Sequence, residues 1–252
     1  AIDANTAWVS AYLKAGQNKG AIHQTTNGGT TWTNMTPAGA YTNAAAFTNI
    51  VCFVTPSVGI TMGDPVGGEF EIWRTTDGGT SWTKVPGANI PNPSSGSEYG
   101  LVNVYTKQGT SNIWFGTNTG RVYRSTDGGL NWSVGTITGA VVGVNELAFT
   151  DANNGLAYAY SGTTTSPVLG LYRTTDGGAT WTQVTPLDPN MGLNDIVAIT
   201  GTSWFASAGA GTAGSAGTNL GGSSNGGTGG SVAGSAGSGG TGATAGSAGQ
   251  GG

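Results

Sequence analysis

Charge is what this chain has least of. Charged residues make up 8% of it, against about a quarter in an ordinary globular domain. With 8 Lys and Arg against 12 Asp and Glu, no basic stripe can form to neutralise phosphates, which argues against nucleic acid and against an anionic membrane surface as partners. No apolar run approaches the ~18 residues of a membrane span, so direct membrane insertion is not expected. A single cysteine, Cys52, rules out an internal disulfide and leaves a large core to hold the fold. It sits in the apolar run NIVCFV and reads as a small buried hydrophobe, not a nucleophile. The one histidine, His23, has no Cys or acid near it at metal-ligand spacing, and no DxDxDG loop is present. No metal and no cofactor are therefore expected. Strong helix formers are scarce, so almost no helix is expected either. The opening AIDANTAWVSAYL lacks the basic start and apolar core of a signal peptide and reads as mid-domain sequence. A leader is expected to have been removed or to lie outside the chain.

What fills the chain instead is glycine, at 48 residues, with Ser, Thr and Asn. These favour turns and strands. They are organised into a repeat: TTNGGTTW (25–32), TTDGGTSW (75–82), STDGGLNW (125–132) and TTDGGATW (174–181) recur at intervals of 50, 50 and 49 residues, counted from Asn27, Asp77, Asp127 and Asp176. Each is preceded by an apolar residue (Ile22, Ile72, Val122, Leu171) and closed by a tryptophan (Trp32, Trp82, Trp132, Trp181). The pattern is strand, tight turn, strand, with paired glycines supplying positive φ and the Asn or Asp accepting the turn's own N–H groups. Two more strand-like runs lie upstream of each turn, several of them continuously apolar, as strands covered on both faces are. Four short strands in every ~50 residues predict an all-β fold, a β-propeller of four-stranded antiparallel blades. Residues 1–36 then supply three strands of one blade, and 44–86, 99–137 and 143–186 three full blades. Residues 194–236 supply a fifth, so that about five blades of a six- or seven-bladed ring are represented.

These turns resemble the Asp-box (BNR) repeat, Ser/Thr-x-Asp-Gly-Gly-x-x-Trp, found in sialidases, sortilin-type receptors, xyloglucan-cleaving glycosidases and a photosystem-assembly propeller. The likeness covers residues 1 to about 205 and speaks for fold more than for function. Asn27 departs from it where Asp is expected. The phrase MGDPVGGEFEIWRTTDGGTSWTKVPGANIPNP also resembles large cell-surface proteins that Bacteroidota export by type IX secretion, which implies a bacterial, outer-membrane-associated protein.

Residues 206–252 carry no charge and no aromatic and by composition are a flexible linker. Register reads otherwise. NLGGSSNGGTGGSV sets Leu220, Asn225, Gly226 and Gly227 one repeat beyond Leu171, Asp176, Gly177 and Gly178. The segment is therefore expected to continue the blades, with residue identities other than those written, because side chains this small could not bury enough surface to order a blade.

A sialidase needs three arginines for its substrate carboxylate. Arg74, Arg124 and Arg173 all stand three residues before the turn's Asp and read as architectural, pairing with strand neighbours. Arg121 alone remains, so no such triad is expected. A glycosidase needs two carboxyls about 5 to 10 Å apart across a cleft. The repeat turns lie at one end of the blades, and ligands are expected at the other, made by second-to-third-strand loops and blade connections. The sequence nominates Asp64 and Glu69 in GDPVGGE, Glu98 and Tyr99 in PGANIPNPSSGSEYG, and Asp188 and Asn190 in PLDPNMG. Asp64 and Asp188, each before a proline, also read as turn initiators. Glu71 is expected to face outward. His23 occupies a repeat position held elsewhere by Trp73, Tyr123 and Tyr172, and Trp8, Trp114 and Trp204 read as core.

No catalytic residues are assigned. The expectation is a secreted or cell-surface scaffold or adhesin that binds protein or glycan through its loop face. The alternatives are a glycoside hydrolase using an Asp/Glu pair in that cleft, and an assembly or secretion factor docked on a membrane complex.

Overall fold

Apolar runs of five to nine residues broken by Gly, Asn and Pro can pair only with their neighbours in the chain, and the resulting structure is a series of antiparallel meanders. The computed structural model describes residues 1–13, 17–43, 46–139, 141–163, 166–184, 191–200 and 203–210. All of them belong to one unit, Ala1–Thr218. The first sheet is β1 (Ala7–Leu13), β2 (Gln17–Thr25) and β3 (Thr33–Asn34). Three four-stranded sheets follow. They are β4 (Thr48–Phe53), β5 (Gly59–Val66), β6 (Glu69–Thr75) and β7 (Thr83–Lys84), then β8 (Gly100–Gln108), β9 (Asn112–Thr117), β10 (Arg121–Ser125) and β11 (Ser133–Thr136), then β12 (Val141–Phe149), β13 (Gly155–Thr163), β14 (Ser166–Thr174) and β15 (Thr182–Gln183). A pair, β16 (Met191–Thr200) and β17 (Ser203–Ala210), completes the described chain. The one helical element among the described residues is a single 3-10 turn, Gly87–Asn89. The segment 206–252, expected to continue the blades, lies outside the described residues apart from 206–210 in β17.

The repeat turns fold alike because their chemistry is local. In each, a hydroxyl (Thr25, Thr75, Ser125, Thr174) donates to the side chain two residues on, at 3.0, 2.8, 2.9 and 2.7 Å. The same hydroxyl accepts the N–H of the second glycine at 2.8 to 2.9 Å. Both glycines have φ between 68° and 96°, a region closed to most side chains. The N–H of the first glycine donates to a carbonyl in the hairpin loop preceding it, from Gly78 to Ser57 at 2.9 Å and from Gly128 to Ser111 at 2.8 Å, so the turn is sewn onto its own sheet. Trp32, Trp132 and Trp181 fold back and donate from Nε1 to the second glycine's carbonyl at 3.1, 3.0 and 3.0 Å.

Successive sheets are joined by side chains that reach forward. Arg74 donates through Nε to the Gly128 carbonyl at 2.9 Å, and Arg124 to the Asp176 and Ala152 carbonyls at 3.2 and 3.0 Å. Gln24 takes the equivalent place with a 3.4 Å bond to Gly78. Arg74 and Arg124 therefore clamp the next sheet's turn, and Arg124 also lies 5.8 Å over the ring of Trp114, its expected strand neighbour in β9. Between the sheets lie aromatic stacks. Trp8 lies on Phe53 at 3.6 Å with Trp82 edge-on at 6.1 Å, and Trp114 lies on Phe149 at 3.9 Å with Trp181 edge-on at 6.1 Å. Trp8 and Trp114 are buried; the side chain of Trp204 lies outside the described residues.

Candidate functional site

An antiparallel meander has two unlike ends. The repeat turns and the first hairpin of each sheet share one end, as the glycine bonds to Ser57 and Ser111 show. The second hairpin of each sheet and the connections to the next sheet must share the other. Every residue nominated for binding that the structure describes belongs to that second end, and the structural residues Asn27, Asp77, Asp127 and Asp176 belong to the first. Asp188 and Asn190 lie outside the described residues.

Asp64 is not a turn initiator. Pro65 has no N–H to give the β5–β6 ladder, and the register slips between Gly63 and Pro65, leaving Asp64 as an unpaired bulge residue inside β5. Its N–H turns aside to the Phe47 carbonyl at 2.9 Å. On the neighbouring strand the register also slips, between Thr48 and Ile50. The displaced residue there, Asn49, is buried and donates from Nδ2 to Asp64 Oδ1 at 2.6 Å. Burial raises the Asp64 carboxyl above its ordinary value, opposed by the Asn49 amide and by the N–H of Gly100. Gly100 opens β8, so Asp64 is tied to the start of the next sheet, beside Tyr99.

Glu98 closes the long connection between the second and third sheets and is 3% exposed. Its Oε2 accepts the Ser94 N–H at 2.6 Å, the Ser94 hydroxyl at 2.9 Å and Arg121 at 2.8 Å. Burial pushes this carboxyl up, and those donors outweigh it and hold it below its ordinary value. Arg121 also donates to the Asn92 carbonyl at 3.0 Å and lies 5.1 Å over the Tyr123 ring. The lone arginine of the sequence reading is thus spent on an internal latch. Tyr99, the next residue, is 46% exposed. Its N–H donates to Asn118 Oδ1 at 2.7 Å, which fixes the backbone and leaves the ring free. Burial raises the Tyr160 phenol and neighbouring Tyr99 adds to the shift, so the two rings share one region. Glu69, in the β5–β6 hairpin, is exposed. Glu71, expected to face outward, is buried instead: it accepts the Tyr41 N–H at 2.9 Å and Trp73 Nε1 at 3.1 Å, because the connection before β4 folds Tyr41 over it at φ 55°.

Every described inner strand carries an asparagine that the repeat count did not reveal. Asn49 in β4, Asn103 in β8, Asn145 in β12 and Asn194 in β16 each fall where the ladder slips. Asn49, Asn103 and Asn145 are each four residues before Phe53, Lys107 and Phe149, which face equivalent positions of the second strands. In β8 the slip is larger, with Leu101 to Val104 all between the paired Gly100 and Tyr105. Val102 there is 49% exposed. Among the described residues, no group of three or more His, Cys, Asp and Glu is placed to hold a metal ion.

No protein-family model matches the chain and no curated protein matches its sequence. Solved structures do match. YCF48 bound to D1 peptide superposes with a TM-score of 0.52 at 21% identity, over 78% of this chain and 54% of that one. YCF48 from Cyanidioschyzon merolae gives 0.48 at 19% identity over 77% and 62%, and the GH74 xyloglucanase from Xanthomonas campestris 0.49 at 16% over 77% and 32%. The fold is a β-propeller. The chain spans about half the length of the first of these, 54%. At such identities the likeness is one of fold alone.

Proposed function

We propose that the chain is part of a secreted or cell-surface, Asp-box propeller that binds and does not catalyse, recognising a protein or glycan through the blade end that carries Asp64, Tyr99 and Tyr160. One observation carries this reading: two of the three described acids nominated for chemistry, Asp64 and Glu98, are engaged as structure, and so is Glu71 on the neighbouring strand. Asp64 is held by Asn49, Glu98 by Ser94 and Arg121, and Glu71 by Tyr41 and Trp73. Glycoside hydrolysis needs two carboxyls free to trade a proton and to attack, or to activate water, across a cleft. Of the nominated acids described, Glu69 alone is exposed. What this end does present is Tyr99 and Val102, rigid or apolar surface of the sort that recognition uses. That a propeller of related fold, YCF48, was captured with a D1 peptide supports a polypeptide partner as feasible for the architecture.

The raised carboxyl of Asp64 is the feature that favours a hydrolase. The two readings separate in a turnover assay on a panel of neutral and acidic polysaccharides and sialosides. The expected outcome is binding to the chain without hydrolysis. Hydrolysis abolished by Asp64→Asn or Glu69→Gln would overturn the binding reading.

A further inference from the structure

The bulges of the inner strands share a residue type that backbone geometry calls for at Asn103 alone. Among non-glycine residues described, only Tyr41 and Asn103 have positive φ, 55° and 60°. Asparagine's tolerance of the left-handed region therefore accounts for Asn103 and not for Asn145 or Asn49. A bulge residue stands outside the ladder, so its side chain escapes the in-and-out alternation of the strand and is re-aimed. Asn49 spends its carboxamide on Asp64. Asn103 and Asn145 are exposed, and no hydrogen bond within the described residues uses their side chains.

We propose that the bulge asparagines of adjacent inner strands form a ladder for the backbone of an extended peptide, with Asn103 and Asn145 making the contacts; this rests on the binding reading above. Adjacent inner strands β4, β8, β12 and β16 pack side by side, so the asparagines follow one another from blade to blade. A carboxamide carries a donor and an acceptor in one plane, as a peptide unit does, and a free one can satisfy both groups of that unit at once. The segment 101–104 stands out of register with β9 on either side of Asn103. Around them lie Val102, Tyr99 and Tyr160, with Tyr160 held across β12 at Gly143, where a Cβ would come within 2.5 Å of the ring. The exposed aliphatic Val102 beside the amides suits an apolar side chain, which a polypeptide carries and a saccharide does not.

A library of random nine-residue peptides displayed on phage, selected on the full chain, tests this. Asn103→Gly keeps the positive φ available and Asn145→Ala removes an exposed side chain, so both variants retain the fold, checked by their melting curves. Arg173→Gln, at the opposite blade end, is the control. Selected peptides are expected to bind the parent and the control alike and to weaken about fivefold to tenfold on each asparagine variant, the worth of one to two hydrogen bonds. Failure to enrich any peptide, or peptides indifferent to both variants, overturns the proposal. So does binding of cellotriose or xylotriose that both variants abolish while no peptide is enriched, a result that would leave the binding role of this blade end standing.

Discussion

A single atom separates Asn27 from its three sister residues, and the turn shows what that atom does. Asp77, Asp127 and Asp176 each accept a side-chain donor four residues on at Oδ2, from Ser81, Asn131 and Thr180 at 2.6, 2.8 and 2.5 Å. Asn27 has an amide nitrogen there and donates to the Thr31 hydroxyl at 2.9 Å. The bond survives with its polarity reversed, because a hydroxyl can serve on either side. What is lost is charge: side-chain and backbone donors of Ser81 and Thr180 bring Asp77 and Asp176 down to about 2. Their folded-state values lie below the unfolded 3.8, so their contribution is present above about pH 4 and fades as pH falls toward 2. Asp64 has the opposite sign: its carboxyl is raised, and what it contributes is lost as pH rises through its folded value. Asn27→Asp is expected to raise the melting temperature at pH 7 and to lose that gain near pH 2, measured by thermal melts across pH. NMR titration of the side-chain carboxyls should find Asp64 above the unfolded 3.8 and Asp77 well below it.

At the scale of elements, the connection from β7 to β8 is ordered by one ion pair. Glu98 has no exposed side-chain surface and Arg121 keeps 13% of its own. Removing the cation leaves a buried carboxylate with Ser94 as its remaining donor. Arg121→Ala is expected to cost about 3 kcal/mol, as breaking a buried pair does, and Arg121→Ala combined with Glu98→Gln should recover part of that; urea unfolding of the single and double variants checks both. Little of this was legible in the sequence, although the fold was. The repeat turns could be read because the side-chain bonds that shape them all lie within five residues, so spacing alone carries that geometry. Asp64 looked like a turn residue since Asp-Pro usually is one, and only the pairing of β5 with β6 makes it a bulge. Glu71 alternated correctly with Ile72, but the alternation says nothing of Tyr41, thirty residues away, that covers it. The inner-strand asparagines are spaced unevenly because the connections between blades differ in length, so equivalence appears only once strand register is known.

For the molecule as a whole, the decisive property is that the core is divided. Phe53 belongs to the cluster of Trp8 and Trp82, whereas Phe149 belongs to that of Trp114 and Trp181, and a third cluster around Ile60, Ile72, Phe115 and Trp132 lies between the second and third blades. Each blade thus contacts its neighbours and little else, as in other repeat architectures, and stability should behave as a sum of blade and interface terms. Phe53→Ala and Phe149→Ala each empty the middle of a three-ring stack and are expected to cost about 3–5 kcal/mol. Because they lie in separate clusters, the double variant should equal the sum of the singles to within about 0.5 kcal/mol. Trp114→Ala with Phe149→Ala is the contrasting pair. Their rings stack at 3.9 Å, so once one is gone the other has lost its partner, and the combined loss should fall short of the sum by about 0.5–1.5 kcal/mol. Equal coupling in the two double-mutant cycles would mean that the blades unfold as one inseparable core, and the view of the chain as a row of sheets held by nearest-neighbour contacts would fail.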